Sequence, residues 1–198
     1  MSRTAIYLPM KIGMVVFENF TDLDFYLPWD LLNRVRLLGL HGDWRVEILS
    51  DSPSVTSASG LKLHSTQPWN VANDCDAVFF CSGYETRKLI SEPSFLAKFK
   101  LDETKQFIAA IDSGALILGA LGHLKNRKAT TYPTAFDLLA TYCEVSQEPF
   151  VADDHIATGA RCMSGDRVAL WIIEKLIGKS IADQVYEAVR PLTQRRAR

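Results

Sequence analysis

The chain has 198 residues, of which 47% are hydrophobic and 23% are charged. This length and composition can bury a substantial core, and they favour one domain, predicted over residues 1–190, with a basic tail at 191–198. The 22 basic and 23 acidic residues nearly cancel, so no overall charge would attract nucleic acid or an anionic membrane. We therefore expect a small-molecule partner, and neither nucleic acid nor membrane.

The sequence shows no sign of export or membrane insertion. No apolar stretch approaches the ~20 residues that a spanning helix requires, and the N-terminal apolar runs are interrupted by Pro9 and Lys11. The cysteines form no C-x-x-C pair, which favours reduced thiols; they are Cys75, Cys81, Cys143 and Cys162. The four histidines are scattered, so no metal site or cofactor is predicted. These features indicate a cytoplasmic protein.

Short β-branched segments alternate with amphipathic segments along the first 121 residues. Strands are predicted at 11–17, 45–50, 77–81 and 107–111, with helices at 24–40, 86–90, 94–104 and 113–121. Residues 55–66 contain turn-forming residues and suggest a small hairpin. The alternation predicts an α/β fold whose mostly parallel sheet has helices on both faces. Functional sites in such folds lie at the carboxyl ends of the strands.

The last third of the chain continues the pattern with shorter elements. A helix is predicted at 133–140, short strands at 144–147 and 156–158, and a final helix at 162–177. The tail beyond Pro191 has no apolar periodicity and is expected to be solvated.

Asp112 stands at an abrupt junction between a strand and a helix, and we call residues 111–114 the elbow. Gly114 and Ala115 are small enough for the helix to begin close to neighbouring strands, and the free N–H groups of its first turn favour an anion. Such a turn displays a reactive side chain in many α/β folds. Asp112 or Ser113 could equally be a simple helix N-cap, a common use of these residue types.

Four segments carry motifs in a fixed order along the chain. They are FTDLDFYLPWD at 20–30, AVFFCSGYETRKL at 77–89, IDSGALILGALGHLKNRKATTYP at 111–133, and IATG at 156–159. Together they resemble the ThiJ/PfpI superfamily, in particular its isonitrile hydratase-like branch. The resemblance implies a flavodoxin-like three-layer sandwich that forms a homodimer.

The resemblance also implies roles for individual residues. Asp24 matches the N-terminal catalytic acid of the family, while Asp112 occupies the place of the nucleophilic cysteine. Tyr132 replaces the family's histidine. The residues expected to bind ligand or stabilise an oxyanion are Gly83, Ser113, Gly114 and Tyr132. Three further positions depart from the family motifs, namely Leu27, Cys81 and Ser82.

The replacement of cysteine by Asp112 changes the chemistry that we expect. A carboxylate is a much weaker nucleophile than a thiolate, so thiol-dependent activity is disfavoured. One hypothesis is a non-catalytic or repurposed protein that binds a small polar ligand at the elbow. The alternative is a hydratase or hydrolase that adds water to a small isonitrile- or nitrile-like substrate with an Asp24/Asp112 pair that shares a proton.

Two further residues are weaker candidates. Asp22 could replace Asp24 if the chain is shifted, although a solvated loop acid is the simpler interpretation. Cys162 precedes a predicted helix and could be a reactive thiol. A partly buried, inert cysteine is the preferred interpretation.

Overall fold

The computed structural model describes residues 9–192. The strands are β1 (Met10–Val15), β2 (Trp44–Leu49), β3 (Ser54–Thr56), β4 (Lys62–His64), β5 (Ala77–Phe80), β6 (Phe107–Ile111), β7 (Lys128–Ala129), β8 (Glu144–Val145), β9 (Phe150–Ala152) and β10 (Ile156–Gly159). The α-helices are α1 (Asp22–Leu37), α2 (Thr86–Leu89), α3 (Pro93–Leu96), α4 (Ala115–Ala120), α5 (Phe136–Leu139), α6 (Gly165–Ile177) and α7 (Lys179–Glu187). Short 3-10 turns cover Trp69–Asp74, Asp112–Gly114, Pro133–Ala135 and Cys162–Ser164. None of the helices in the described part of the chain combines the length and apolarity needed to cross a bilayer.

A six-stranded sheet organises the chain in the order β2-β1-β5-β6-β10-β9. Its first five strands are parallel, and β9 is antiparallel to β10 at one edge. Hairpin β3–β4 and the parallel pair β7–β8 form two smaller sheets. The predicted α/β fold with a mostly parallel sheet is confirmed.

Two apolar clusters fill the spaces on opposite faces of the sheet. Met14 of β1 packs with Phe25 of α1 and Ile172 of α6 on one face. The next residue of the same strand, Val15, packs with Leu116 of α4 on the other face. Because successive side chains of a strand alternate between faces, this continuous apolar run is buried on both sides, which gives the three-layer sandwich that the sequence predicted.

The predicted helix at 94–104 is mostly wrong, because only Pro93–Leu96 is helical. Side-chain hydrogen bonds hold the rest of this segment in turns. Asn73 accepts from the N–H of Lys100 and donates to the carbonyl of Lys98, while Asp102 accepts from the N–H of Thr104. Polar side chains of this kind compete with helical hydrogen bonds.

The C-terminal region contains two elements that the sequence analysis missed. The edge strand β9 is only three residues long, and α7 follows α6 directly after Gly178, whose φ of 95° ends the first helix. Ala182 and Val185 bury the inner face of α7. Of the predicted basic tail at 191–198, all but the first two residues lie outside the described part of the chain.

Gly114 allows the elbow to pack against the end of β5. A Cβ atom at this position would lie 2.6 Å from the carbonyl oxygen of Phe80 and 2.8 Å from that of Cys81. Both contacts are far shorter than a carbon and an oxygen tolerate, and both neighbours are backbone atoms. The close approach that the sequence predicted for Gly114 is confirmed.

Substituting Gly114→Ala should lower the free energy of unfolding by roughly 1–3 kcal/mol, because the added methyl overpacks the junction. Gly165→Ala is the matched control, since its Cβ would meet no atom closer than 3.4 Å. Urea denaturation of both variants measures the difference. Equal stability of the two variants would show that the junction at Gly114 relaxes freely.

Candidate active site

Asp112 adopts an unusual backbone conformation at the end of β6. Its φ is 51°, a left-handed conformation that costs an ordinary residue roughly 1–2 kcal/mol and that Asp and Asn tolerate best. The hydroxyl of Thr131 donates to the Asp112 carbonyl at 2.7 Å, and the Asp112 carboxylate accepts from the N–H of Ser113. Neither the 3-10 turn nor α4 has a side-chain cap, so the N-cap interpretation is wrong.

Asp24 lies in the first turn of α1 and is fully buried. Its Oδ2 atom accepts a hydrogen bond from the hydroxyl of Ser82, which also lies 3.0 Å from the hydroxyl of Thr21. Its Oδ1 atom is buried without a hydrogen bond of ordinary geometry. Asp22 is directed elsewhere, because its carboxylate accepts from the N–H and hydroxyl of Ser59.

The carboxyl groups of Asp24 and Asp112 meet the thiol of Cys162 at the elbow. One ligand-type atom from each residue lies within 4.8 Å of the other two. Burial and the nearby charge of Asp24 raise the pKa of Asp112 to about 7, although the N–H of Ser113 and two arginines act in the opposite direction. Burial also raises the pKa of Asp24. Two carboxyl groups this close, with raised pKa values, favour sharing a proton near neutral pH.

The thiol of Cys162 is protonated in this environment. Burial, followed by the hydrogen bond and charge of Asp24, raises its pKa to about 12. A thiol with this pKa is a poor nucleophile at neutral pH, because the thiolate is the reactive form. The position of Cys162 beside the two carboxylates was not anticipated from the sequence.

Asp24, Asp112 and Cys162 are also the residues of the described chain whose donor atoms could hold a metal ion. The charges of Arg87 and Arg161 reach Asp112 and lower its pKa, so they also oppose a cation there. The set contains no imidazole, which transition metals commonly use. The arrangement therefore suits protons better than a divalent ion.

An open cavity of about 420 Å³ lies above the elbow. Its wall is formed by Thr21, Ala58, Ser82, Gly83, Tyr84, Arg87, Asp112, Ser113, Tyr132, Thr134, Ala135 and Cys162. Of the residues predicted for the site, four line this cavity, and they are Gly83, Asp112, Ser113 and Tyr132. The cavity is large enough for a small organic molecule.

Two predicted site residues lie behind the cavity wall. Gly114 is buried against β5 and acts through the close approach described above. Asp24 faces Asp112 from beneath, so it is not exposed to a ligand in the cavity. The structure therefore makes Asp112 the carboxyl group that a ligand can contact.

Gly83 is required by the packing around the cavity. A Cβ atom there would lie 2.6 Å from the carbonyl oxygen of Asn19 and 2.7 Å from the Cα of Phe20. Within residues 9–192, the N–H of Gly83 donates to no acceptor of the protein. This N–H is available to a ligand, and the oxyanion contact expected of Gly83 stays a prediction.

Two hydroxyl groups link Gly83 to the elbow through hydrogen bonds along the cavity wall. The hydroxyl of Ser113 lies 3.1 Å from that of Thr86, and the Thr86 hydroxyl donates to the carbonyl of Gly83 at 2.8 Å. This chain connects the two segments that line the cavity on either side of Asp112. It fixes Ser113 so that its N–H can hold the Asp112 carboxylate.

Two contributors to the site, Ser82 and Arg87, were not among the predicted site residues, and Cys162 was named only as a weaker candidate. Arg87 stands within the second motif, and Ser82 replaces a glycine of that motif. The sequence therefore showed that Arg87 matches the motif and that Ser82 departs from it. It did not show that both side chains point into the site. Cys162 follows β10, whose carboxyl end lies beside that of β6 in the sheet; strand order was the signal that could have placed it.

Comparison with known proteins agrees with this architecture. The sequence profile of the DJ-1/PfpI family matches residues 10–175. An isonitrile hydratase of Pseudomonas putida is 26% identical over 180 residues, covering 90% of this chain and 77% of that protein. The HTH-type transcriptional regulator CdhR of Pseudomonas aeruginosa is 27% identical over 152 residues, covering 74% of this chain and 45% of the regulator. A crystal structure of a ThiJ/PfpI family protein from Pseudomonas syringae has a TM-score of 0.80 at 24% identity, covering 96% of this chain and 80% of that one.

Asp112→Asn should change how the stability of the protein depends on pH. The native pKa of about 7 exceeds the ordinary value of 3.8, so the native state holds the proton more tightly than the unfolded state. The free energy of unfolding of the parent should therefore fall between about pH 4 and pH 7. The variant has no ionisable group at this position, so its free energy of unfolding should not fall in this way. At about pH 8 it should exceed that of the parent by roughly 1–3 kcal/mol, a range reduced to allow for screening by solvent.

Urea denaturation at a series of pH values tests this difference. Asn tolerates the left-handed backbone at this position, so the substitution removes the ionisable group without adding strain. Stability curves that run parallel for variant and parent from pH 4 to about pH 8 would contradict the raised pKa.

Cys162 should react slowly with iodoacetamide at neutral pH, because its pKa is about 12. Asp24→Asn removes a group that raises this pKa and should accelerate alkylation roughly tenfold. Mass spectrometry of the peptide that contains Cys162 measures the rate, with the half-buried Cys143 as an internal reference. Rapid alkylation of Cys162 in the parent would show that the thiol is activated.

Proposed function

The chain belongs to the DJ-1/PfpI family, and on that premise we propose that it hydrates a small isonitrile- or nitrile-like molecule by acid–base catalysis at Asp112. The observation that carries the proposal is the carboxyl group of Asp112 in the wall of an open cavity, beside the sealed carboxyl group of Asp24. An acid placed this way can hold a proton at neutral pH and deliver it to a ligand.

The proposed reaction needs one proton-transferring group and one water molecule. For an isonitrile, R–N≡C, the Asp112 carboxyl protonates the terminal carbon, and water attacks the same carbon. The Asp112 carboxylate then takes a proton from the added water, and the product R–N=CH–OH rearranges to the formamide R–NH–CHO. Asp112 ends in its starting state, so the net reaction is the addition of one water molecule.

Asp24 acts on this chemistry through Asp112. It is fully buried and does not line the cavity, so it contacts no ligand directly. Its negative charge makes ionisation of Asp112 less favourable, which keeps a proton on Asp112 near pH 7. Asp24 is therefore proposed as a positioning and tuning residue, and Asp112 as the catalytic residue.

The N–H of Gly83 supplies a second element of the proposed mechanism. Gly83 lines the cavity, and its N–H has no acceptor within residues 9–192, so it can position the attacking water or a polar atom of the ligand. A fixed backbone donor holds such a group in place without rearranging during the reaction. The relative from Pseudomonas putida, which is an isonitrile hydratase, supports this choice of substrate class.

Binding without turnover is the second candidate. It is favoured by the absence of a thiol at the elbow and by the protonated state of Cys162. The similarity to the HTH-type transcriptional regulator CdhR over 74% of this chain is compatible with a module that binds a small polar ligand and passes the signal to other domains. The homodimer, the cytoplasmic location and the domain limits 1–190 stay predictions.

Asp112→Asn should lower the hydration rate of methyl isocyanoacetate by about 10²-fold or more, because the proton donor is lost. Asp154→Asn is the control, since this acid is exposed and far from the elbow. Product formation followed by NMR measures both rates. An Asp112→Asn enzyme with the parent rate would overturn the proposal.

The pH profile gives an independent check of the same variants. The rate should fall above about pH 7, because Asp112 loses its proton there. The titratable and charged groups near Asp112 are Asp24, Cys162, Arg87 and Arg161. Asp24→Asn should move this decline to lower pH, because a charge that raises the pKa of Asp112 is removed. Saturable binding of the compound with no hydration by the parent would favour the second candidate.

A further inference from the structure

The cavity has acidic groups at its floor, the elbow, and basic groups at its mouth, where Arg87 and Arg161 are exposed. The carboxyl groups of Asp24 and Asp112 lie at the elbow, while Arg87 is part of the cavity wall. Arg161 lies next to Cys162, which also lines the cavity. Both arginines lower the pKa of Asp112, so their charges act on the interior of the site.

Both guanidinium groups are held against one short segment of the cavity wall. Arg87 donates to the carbonyl of Thr134 at 3.3 Å. The guanidinium carbon of Arg161 lies 5.1 Å from the centre of the Tyr132 ring, a typical cation–π distance. Tyr132 and Thr134 both line the cavity and are two residues apart, so both guanidinium groups lie against the same segment of the cavity wall.

Neither cation forms an ion pair within the described part of the chain. Within residues 9–192, no carboxylate lies within 4.0 Å of the guanidinium of Arg87 or Arg161. One backbone contact for Arg87 and one ring contact for Arg161 leave most of their donors free. Arginine is well suited to bind a carboxylate through two parallel hydrogen bonds.

We infer that the ligand of this cavity is a small carboxylate, whose anionic group binds Arg87 and Arg161 at the mouth while its uncharged polar end reaches Asp112. The inference names the substrate class for the proposed hydration, and it applies equally if the site only binds. A neutral polar end suits the floor, because an anion there would meet Asp24 and Asp112. A carboxylate at the mouth would neutralise two otherwise unpaired cations.

Two unreactive probes test this inference independently of turnover. N-formylglycinate is the hydration product of isocyanoacetate, and N-formylglycinamide has the same shape without the charge. Isothermal titration at pH 7 and low salt should show that the acid binds at least about tenfold more tightly than the amide. The preference should shrink as salt is added, because the cations at the mouth are exposed.

Substitution of the arginines locates the effect. Arg87→Gln and Arg161→Gln should each weaken binding of N-formylglycinate by about three- to tenfold and leave N-formylglycinamide unchanged. Lys88→Gln is the matched control, because it removes a neighbouring cation that is paired with Glu85 and Glu92 on the surface. The control should bind both probes like the parent.

The inference fails if the two probes bind with equal affinity, if neither probe binds, or if the arginine variants weaken both probes alike. It stands if the acid is preferred and the preference depends on Arg87 and Arg161. A protein that shows this preference but hydrates no isocyanide would overturn the proposed catalysis alone. Hydration of neutral isocyanides with no preference for the acid would overturn only the inference about the carboxylate.

Discussion

The site depends on two neighbouring carboxyl groups, of which Asp24 is fully buried and Asp112 is half-buried in the cavity wall. Asp24 is fully buried beside Asp112, so ionisation of both groups would place two negative charges close together, one of them without access to solvent. Holding one proton relieves this repulsion. The hydroxyl of Ser82 and the N–H of Ser113 bind the two carboxylates and limit the cost of their burial. Burial raises the pKa values of Asp112 and Cys162 most, and the charge of Asp24 adds to both shifts.

The order of strands in the sheet explains how the pair is assembled. Strands β1, β5, β6 and β10 are neighbours, and each is followed closely by a residue of the site. Those residues, in the same order, are Asp24, Ser82, Asp112 and Cys162. Residues that are distant in sequence converge because parallel strands end at one edge of the sheet. Close packing at Gly83 and Gly114 then brings the connecting segments near enough for hydroxyl and carboxyl groups to touch.

Much of the fold was predictable because periodicity and turn residues act locally. The strand at 107–111 was predicted with its observed limits, and the motif around Asp112 identified the elbow. The helix at 94–104 failed because Asn73, which is remote in sequence, binds the backbone of Lys98 and Lys100. The exposure of Asp112 and the sealing of Asp24 depend on which side of the wall each side chain occupies. No local pattern contains that information.

The site contains a cysteine, Cys162, that lies in the turn after β10 and not in the elbow. Its side chain lines the same cavity as Asp112, so a bulky adduct on this thiol would occupy the space that a ligand needs. Inhibition by an alkylating reagent is commonly interpreted as proof of a catalytic cysteine. In this protein, the same inhibition would arise from steric blockage by a residue that takes no part in bond making. Thiol reagents therefore cannot diagnose the mechanism here unless the modified residue is identified and replaced by serine.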